Sequence, residues 1–259
     1  GPDIESGLPG EMPRLWYLAE HGIGGKYHVE VPDLMRTNVV QRFRVTFGVS
    51  GPLNYISVLD MGRLWERMLR RARLPLAYTQ GYNPHPRMQF ASALPVGYSS
   101  SCELVDILFG EVMRREEFEE AIRRQAPPGL TILGAEKVPI KAPSPQARMR
   151  AAHYRVRLCS PASRSEVEAE LERLSNLAHI MHERVRKGQV RSYDLRPLIQ
   201  SMEYLSEDGD YHELLMILAC GSQGAGRPEE IMDEMQIDIS EYMIHRSRLV
   251  WEDGQEEQQ

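Results

Sequence analysis

The hydrophobic positions of the chain change their period several times, and these changes divide it into strands and helices. Phe43, Val45 and Phe47 alternate with polar residues, and this period of two predicts a half-buried strand. From Leu59 to Ala72 the apolar residues recur on one helical face, while the arginines of the stretch fall mainly on the other. The pattern therefore predicts a strand, a loop and then an amphipathic helix.

The same two periods continue beyond this helix. A second strand contains Val105, Ile107 and Phe109, a short helix covers residues 116–124, and a last strand covers residues 131–138. With the short extended stretch after residue 87, the order of elements is β-α-β-β-α-β.

This order then recurs along the rest of the chain. The predicted elements are strands at 154–158, 184–204 (broken at Pro197), 214–219 and 244–251, and helices at 165–178 and from Pro228. Two successive β-α-β-β-α-β sets predict an α+β fold of tandem ferredoxin-like domains with an irregular N-terminal extension.

The predicted boundaries follow from these periods. Residues 1–40 are the extension, residues 41–138 the first ferredoxin-like domain and residues 150–252 the second. Three prolines mark Pro139–Met149 as a linker between the two domains. Residues 253–259 form an acidic tail.

Composition narrows the class of protein. Cys102, Cys159 and Cys220 form no CxxC pair, which argues against zinc ribbons and disulfide frameworks and favours a reducing compartment. No apolar run is long enough to span a bilayer, and no secretory signal is recognisable. We therefore expect a cytoplasmic protein without a membrane partner.

The charge of the chain is unevenly spread. The net charge is −6, yet arginines collect at residues 63–73, 148–157 and 184–196. One interpretation is that these arginines lie on ordinary solvated faces. The other is that an acidic chain carries a basic face for an anionic partner.

The first candidate site is the loop from Tyr78 to Arg87, with the sequence YTQGYNPHPR. Two prolines restrict the backbone and remove two backbone donors, so the polar side chains sit on a stiffened loop. A structural turn is the alternative interpretation. As a set, the side chains favour a binding surface shared with the preceding helix: Arg70, Tyr78, Gln80, Tyr82, Asn83, His85 and Arg87. His85 is also a candidate catalytic residue, as an acid or base.

The second candidate site is the run RSYDLRP from Arg191 to Pro197. An aspartate between two arginines has a lowered pKa if all three lie close together. Arg191, Asp194 and Arg196 are therefore predicted to bind an anion, with Asp194 as a second catalytic candidate. A structural ion pair at a strand end is the alternative.

Several common signatures are missing from the sequence. There is no GxxxxGK[ST], GxGxxG, HExxH or GxSxG motif. Glu103 and Asp106 are three residues apart in a strand, which makes them a poor acid–base pair. His179 and His182 have no apparent further ligand. We predict no metal site and no cofactor.

Residues 60–86, with the run LPLAYTQGYNPHP, resemble the radical-SAM-linked protein family, a bacterial domain of unknown function. The resemblance continues through 94–106, through Lys187–Ile199 and through Ile244-His245-Arg246. It implies a radical S-adenosylmethionine enzyme as the partner. One position departs from the family: Val58 stands where the family usually has a histidine. The cluster-binding CxxxCxxC of radical enzymes is absent.

Three functions are compatible with these features. The favoured one is an accessory binding module, not itself an enzyme, for RNA or a nucleoprotein substrate. The alternatives are an RNA-modifying enzyme of pseudouridine-synthase-like architecture centred on Asp194, and a protein–protein adaptor for a radical enzyme. In each case the loop at residues 78–87 and the run at residues 191–196 are predicted to form one composite site.

Overall fold

The structure is a computed structural model that describes residues 38–186, 189–221 and 224–252, without the side chains of residues 185 and 186. The predicted acidic tail and nearly all of the predicted N-terminal extension lie outside these residues. So does Lys187-Gly188 of the second motif.

The first half of the chain forms four strands and two helices in the predicted order. They are β1 (Gln41–Val49), α1 (Val58–Arg71), β2 (Met88–Phe90), β3 (Ser99–Phe109), α2 (Arg115–Gln125) and β4 (Leu130–Lys137), with a 3-10 helix at Gly51–Tyr55. The strands lie in the order β4-β1-β3-β2, and each neighbouring pair is antiparallel.

Both helices cover the same face of these strands. The alternating apolar residues of β1 are buried, as their period predicts, and pack with Trp65, Met68 and Leu69 of α1. Phe118 of α2 stacks on Phe43 of β1 with ring centroids 5.0 Å apart. Burial of these large side chains fixes α1 against the sheet and leaves its arginine face outside.

The second half repeats this arrangement with an insertion. Its elements are α3 (Pro145–Arg148), β5 (Met149–Cys159), α4 (Arg164–Asn176), β6 (Met181–Arg186), β7 (Gln189–Asp194), β8 (Ile199–Asp208), β9 (Tyr211–Gly221), β10 (Gly224–Ala225), α5 (Pro228–Asp233) and β11 (Glu241–Trp251). The main strands lie in the order β11-β5-β9-β8.

The prediction of one broken strand at residues 184–204 is wrong, because the structure has a separate hairpin in this region. β6 and β7 pair only with each other as a separate two-stranded sheet, and a 3-10 helix at Arg196–Leu198 precedes β8. Alternation alone does not separate a hairpin from a single interrupted strand, because both have a period of two.

The two halves share one nine-stranded sheet. β11 pairs with β3 in parallel, with His245 opposite Ser99 and Arg246 opposite Ser100. Most other pairs are antiparallel, so the described fold is α+β with a large, mostly antiparallel sheet. The arrangement as tandem ferredoxin-like domains stays a prediction.

Buried charges lie at the junction of the two halves. Arg246 donates to both carboxylate oxygens of Glu103, at 2.8 and 2.6 Å, and each side chain is at most 5% exposed. A register irregularity in the β1–β3 pairing separates Glu103 from Ser100. The carboxylate of Glu103 therefore belongs to an ion pair that joins the two halves.

A second cluster of buried charged side chains bonds to the predicted linker, Pro139–Met149. Asp106 accepts hydrogen bonds from Arg42 and from Arg44, in both cases with a nitrogen–oxygen distance of 2.9 Å. Arg42 also donates to the carbonyl oxygens of Ala142 (2.7 Å) and Pro143 (3.2 Å). The proline-bearing segment is thus held against β1 by a buried guanidinium.

Within the described residues, no helix has the length and apolar character needed to cross a membrane.

Candidate functional site

Helix α1 begins at a well-formed cap. The side chain of Ser57 accepts from the backbone N–H of Asp60 (3.2 Å), and Asp60 pairs with Arg63 at 3.0 Å. The hydrogen bonds from Ser57 and then Arg63 hold the pKa of Asp60 below its ordinary value. The carboxylate in the first turn also complements the helix dipole.

The exposed face of α1 and the turn after it carry five arginines: Arg63, Arg67, Arg70, Arg71 and Arg73. Arg67 and Arg73 have no ion-pair partner among the residues that the structure describes. The i, i+4 spacing of Arg63 and Arg67, and of Arg67 and Arg71, places these cations along one side of the helix.

The loop after α1 is fixed at its base. The N–H of Thr79 donates to the carbonyl of His85 (2.9 Å), and the N–H of His85 donates to Oγ1 of Thr79 (3.0 Å). The N–H of Arg87 donates to the carbonyl of Ala77 (2.8 Å). Tyr78 also forms a β-bridge with Pro86. These bonds close the base of the loop, and the polar side chains from Gln80 to Asn83 are exposed beyond it.

Glu66 joins the loop to the helix. Its Oε1 lies 2.6 Å from a guanidinium nitrogen of Arg70 and 3.2 Å from Nδ1 of His85. The helix alone accounts for the Glu66–Arg70 contact, since the spacing is i, i+4. The contact with His85 spans 19 residues, and the sequence analysis did not predict it.

The structure brings most of the first candidate set together. Gln80, Tyr82, Asn83, His85 and Arg87 are all exposed on the loop, beside exposed Arg70 on α1. Tyr78 differs, because its side chain is half-buried and packs against the core of the first half. We call the five arginines of α1 and its turn, with Gln80, Tyr82, Asn83, His85 and Arg87, the α1–loop surface.

In the second candidate set, Asp194 has bonding partners within the protein at both carboxylate oxygens. Oδ1 of Asp194 accepts from the backbone N–H groups of Ile180 (2.9 Å) and Arg196 (3.0 Å), and its Oδ2 lies 2.8 Å from Nδ1 of His179. These bonds, with His179 first, lower the pKa of Asp194. The sequence prediction made a lowered pKa depend on the neighbouring arginines, and their side chains are not among its causes.

Arg196 closes the end of a helix. Its guanidinium donates to the carbonyl oxygens of Ser175 (3.0 Å) and Leu177 (3.2 Å) at the C-terminus of α4, and to that of Ile199 (3.0 Å) at the start of β8. A cation at this end of a helix complements its dipole. Arg191 is exposed on β7 and lies opposite Arg184 of β6. The three residues therefore do not converge on one anion site.

Helix α5 holds the hairpin of β6 and β7 through charged contacts. Nε of Arg184 donates to Glu230 (2.6 Å), and the Tyr193 hydroxyl donates to the same carboxylate (2.6 Å). Burial and then this carboxylate raise the pKa of Tyr193. His182 lies 2.7 Å from Glu234. Glu230 and Glu234 are four residues apart, at and just after α5. This spacing was the sequence signal that could have indicated contacts between this helix and the hairpin.

The loop and the hairpin attach near opposite ends of β3. The carbonyl of Arg87 accepts from the N–H of Leu108 near the end of β3. The hairpin bonds to Glu230, and the adjacent Glu229 accepts from Tyr98, directly before the start of β3. At about 3.3 Å per strand residue, the two attachment points are roughly 30 Å apart. No hydrogen bond or ion pair between described residues joins the two segments, so their contacts do not form the composite site.

Val58, which stands where the family that the sequence resembles usually has a histidine, lines an open cleft. The cleft has an empty volume of about 370 Å³, open solvent included, and its lining includes Val58, Ser57, Asn54 and Glu103. Oδ1 of Asn54 is buried without a described hydrogen-bond partner. Glu103 is already paired with Arg246, and no residue of the loop at 78–87 lines the cleft.

Metal ligands do not cluster in the described part of the chain, where no group of three His, Cys, Asp or Glu side chains is placed to hold an ion.

Two solved structures are distantly similar to the chain. The chain is similar to a chain of a Cbf5-Nop10-Gar1 complex, with 10% identity, 79% of this chain and 48% of that chain covered, and a TM-score of 0.42. It thus spans about half the length of that protein. An unknown protein from Galdieria sulphuraria is similar with 14% identity, 75% and 86% covered, and a TM-score of 0.24. Neither similarity is close enough to support an inference.

The comparison with protein families is more informative. No curated protein matches the chain. Residues 42–228 match the model of a family described as an uncharacterized protein conserved in bacteria, DUF2344. This agrees with the predicted membership in a bacterial family of unknown function. Because the match covers most of the chain, from β1 to the start of α5, the protein belongs to this family.

Proposed function

We propose that the protein is a non-enzymatic binding module that recognises RNA through the α1–loop surface. The observation that carries this proposal is the concentration of exposed, unpaired cations on that surface. Arg67, Arg73 and Arg87 have no ion-pair partner among the described residues, and they lie on α1, on the turn after it and at the base of the loop. Such a surface suits a partner with repeated negative charge.

Helix α2 supplies an internal comparison. It lies on the same face of the sheet and also carries exposed arginines, but each of them has a neighbouring glutamate. The pairs are Arg114–Glu117, Arg115–Glu116, Arg123–Glu119 and Arg124–Glu120. On α1, Arg63 and Arg70 have carboxylate partners, but Arg67 and Arg71 have no ion-pair partner among the described residues. This difference from α2 favours a specific basic face over a general excess of arginine. The acidic net charge of the chain does not oppose a local basic face.

Two finer points belong to the same proposal. We infer that each half is a ferredoxin-like domain, because both have the strand order fourth-first-third-second. The second half then carries the β6–β7 hairpin as an insertion. We also infer a separate radical S-adenosylmethionine enzyme as the functional partner. The support for that partner is the resemblance of residues 60–86.

The enzyme alternative has less support. A catalytic aspartate needs an oxygen that can reach a substrate, yet both carboxylate oxygens of Asp194 have partners within the protein. His85 is exposed and bonded to Glu66, without a nucleophile beside it in the described contacts. A binding role therefore accounts better for both candidates.

Binding to RNA across a salt series tests the proposal. We expect the double variant Arg67→Gln/Arg87→Gln to bind more weakly than the parent, with the slope of log K against log salt reduced by about 1 per phosphate contact removed. The matched control is Arg115→Gln/Arg124→Gln on α2, which changes the net charge equally. Salt-insensitive binding by the parent, or equal losses in both variants, would contradict the proposal.

A further inference from the structure

From the exposure of Tyr82 we infer that the α1–loop surface takes single-stranded rather than duplex nucleic acid, with one unpaired base stacked on this tyrosine ring. The inference rests on the proposed function and adds the form of the ligand. It concerns Tyr82, at the tip of the loop that follows α1.

Tyr82 is 96% exposed, the highest value among the exposed large hydrophobic residues described. Tyr78, on the same loop, is half-buried and packs against the core. The two tyrosines thus have different roles. Tyr78 anchors the loop to the core, and Tyr82 exposes its ring to solvent. An aromatic face in solvent offers a stacking surface to any base, because every base has a π-face.

The main chain that carries Tyr82 is closed into a loop before any ligand arrives. The bonds between Thr79 and His85 close the loop below the tip. Gly81 has a φ of 137°, a conformation that other residues rarely adopt, so the turn into Tyr82 requires a glycine. A ring held on a closed loop loses less conformational entropy on binding than a ring on an open one.

Cations lie on the same loop as Tyr82 and on the adjoining helix. Arg87 follows Tyr82 by five residues at the base of the same loop, and Arg70 reaches the loop through Glu66. Arginines alone would bind the phosphates of a duplex and of a single strand alike. The ring adds discrimination, because bases in a duplex are already stacked and only an unpaired base can cover it.

Fluorescence anisotropy with labelled oligouridylate of about 16 nucleotides tests this inference, beside an RNA duplex of the same length. We expect Tyr82→Ala to bind the single strand about 5- to 150-fold more weakly and to leave duplex binding unchanged. Tyr82→Phe keeps the ring and should retain the affinity of the parent. Tyr55→Ala is the matched control, since Tyr55 is 73% exposed on the 3-10 helix before α1.

The outcomes separate this inference from the proposed function. Unchanged single-strand affinity in Tyr82→Ala overturns the inference, while normal salt dependence in the same titration leaves the proposed function standing. Absence of salt-sensitive binding in the parent overturns both. If Tyr82→Ala keeps its RNA affinity but loses a protein partner that survives nuclease treatment, the ring serves protein recognition and the inference is wrong.

Discussion

The loop at residues 78–87 and the segment at residues 179–196 are built from the same kinds of residue and use them in opposite ways. Each contains histidine, tyrosine and arginine together with asparagine or aspartate. In the loop, main-chain bonds close the base, and most of the polar side chains are exposed. In the other segment, Asp194 and Arg196 bond to main-chain groups around the end of α4.

The difference lies in the surrounding backbone. A helix C-terminus leaves carbonyl groups without partners, and a chain that turns sharply leaves N–H groups without partners. Polar side chains nearby are then recruited to satisfy them. The base of the loop, in contrast, is closed mainly by its own main-chain bonds, and the exposed side chains of the loop bond to few main-chain groups. Polar side chains remain available for a ligand where nearby main-chain groups do not recruit them.

The largest expected effect is a loss of stability on truncating a buried side chain of the second segment. Leu195 is fully buried in the core of the second half, next to Asp194. We expect Leu195→Ala to lower the free energy of unfolding by about 2–5 kcal/mol. Tyr82→Ala should change it by no more than about 0.5 kcal/mol. Urea denaturation measures both, and a strongly destabilised Tyr82→Ala would show that the loop is structural.

A matched pair of arginines gives the next test. Arg196→Ala removes three bonds to carbonyl groups and should lower the free energy of unfolding by about 1–2 kcal/mol, without affecting RNA affinity. Arg87→Ala should do the reverse. The measurements are urea denaturation and RNA binding at one salt concentration. Loss of RNA affinity in Arg196→Ala would assign the second segment to the interface.

The pH dependence of stability gives a third test. The pKa of Asp194 is lowered in the folded protein from an ordinary value of 3.8, so its stabilising effect is present above that value and lost as pH falls through the folded pKa. Asp194→Asn keeps an acceptor oxygen but loses the charge beside His179. We expect the variant to be less stable than the parent at neutral pH, with the difference shrinking in acid. A pH-independent difference would contradict the assignment.

The smallest effect is expected at Glu66, where the loop meets the helix. Glu66→Gln removes a negative charge that offsets Arg70 and His85. We expect RNA affinity to rise about two- to fivefold, corresponding to a surface charge worth under about 1 kcal/mol. Anisotropy at low salt measures the change. A fall in affinity would show that Glu66 matters more for orienting His85 than for its charge.

Local patterns predicted much of this molecule. The period of two around Phe43, the helical face from Leu59 and the exposed loop all follow from residues close in sequence. Contacts between distant segments were not predictable in this way. Glu103 and Arg246 are 143 residues apart, and only the pairing of β11 with β3 makes them neighbours. The cause of the Asp194 pKa was misjudged for the same reason, since the position of His179 depends on the hairpin.

The ion pair between Glu103 and Arg246 has a consequence for separating the two halves of the protein into fragments. A fragment ending at Arg148 would lose the counterion of Glu103, and it would expose Tyr98, Cys102 and Leu104, which are buried in the core of the second half. The complementary fragment would lose the carboxylate partner of Arg246 and the same apolar contacts. Neither half is therefore a separable module. We expect the whole sheet to unfold in one cooperative transition, so that any gene fusion or truncation must keep both halves together.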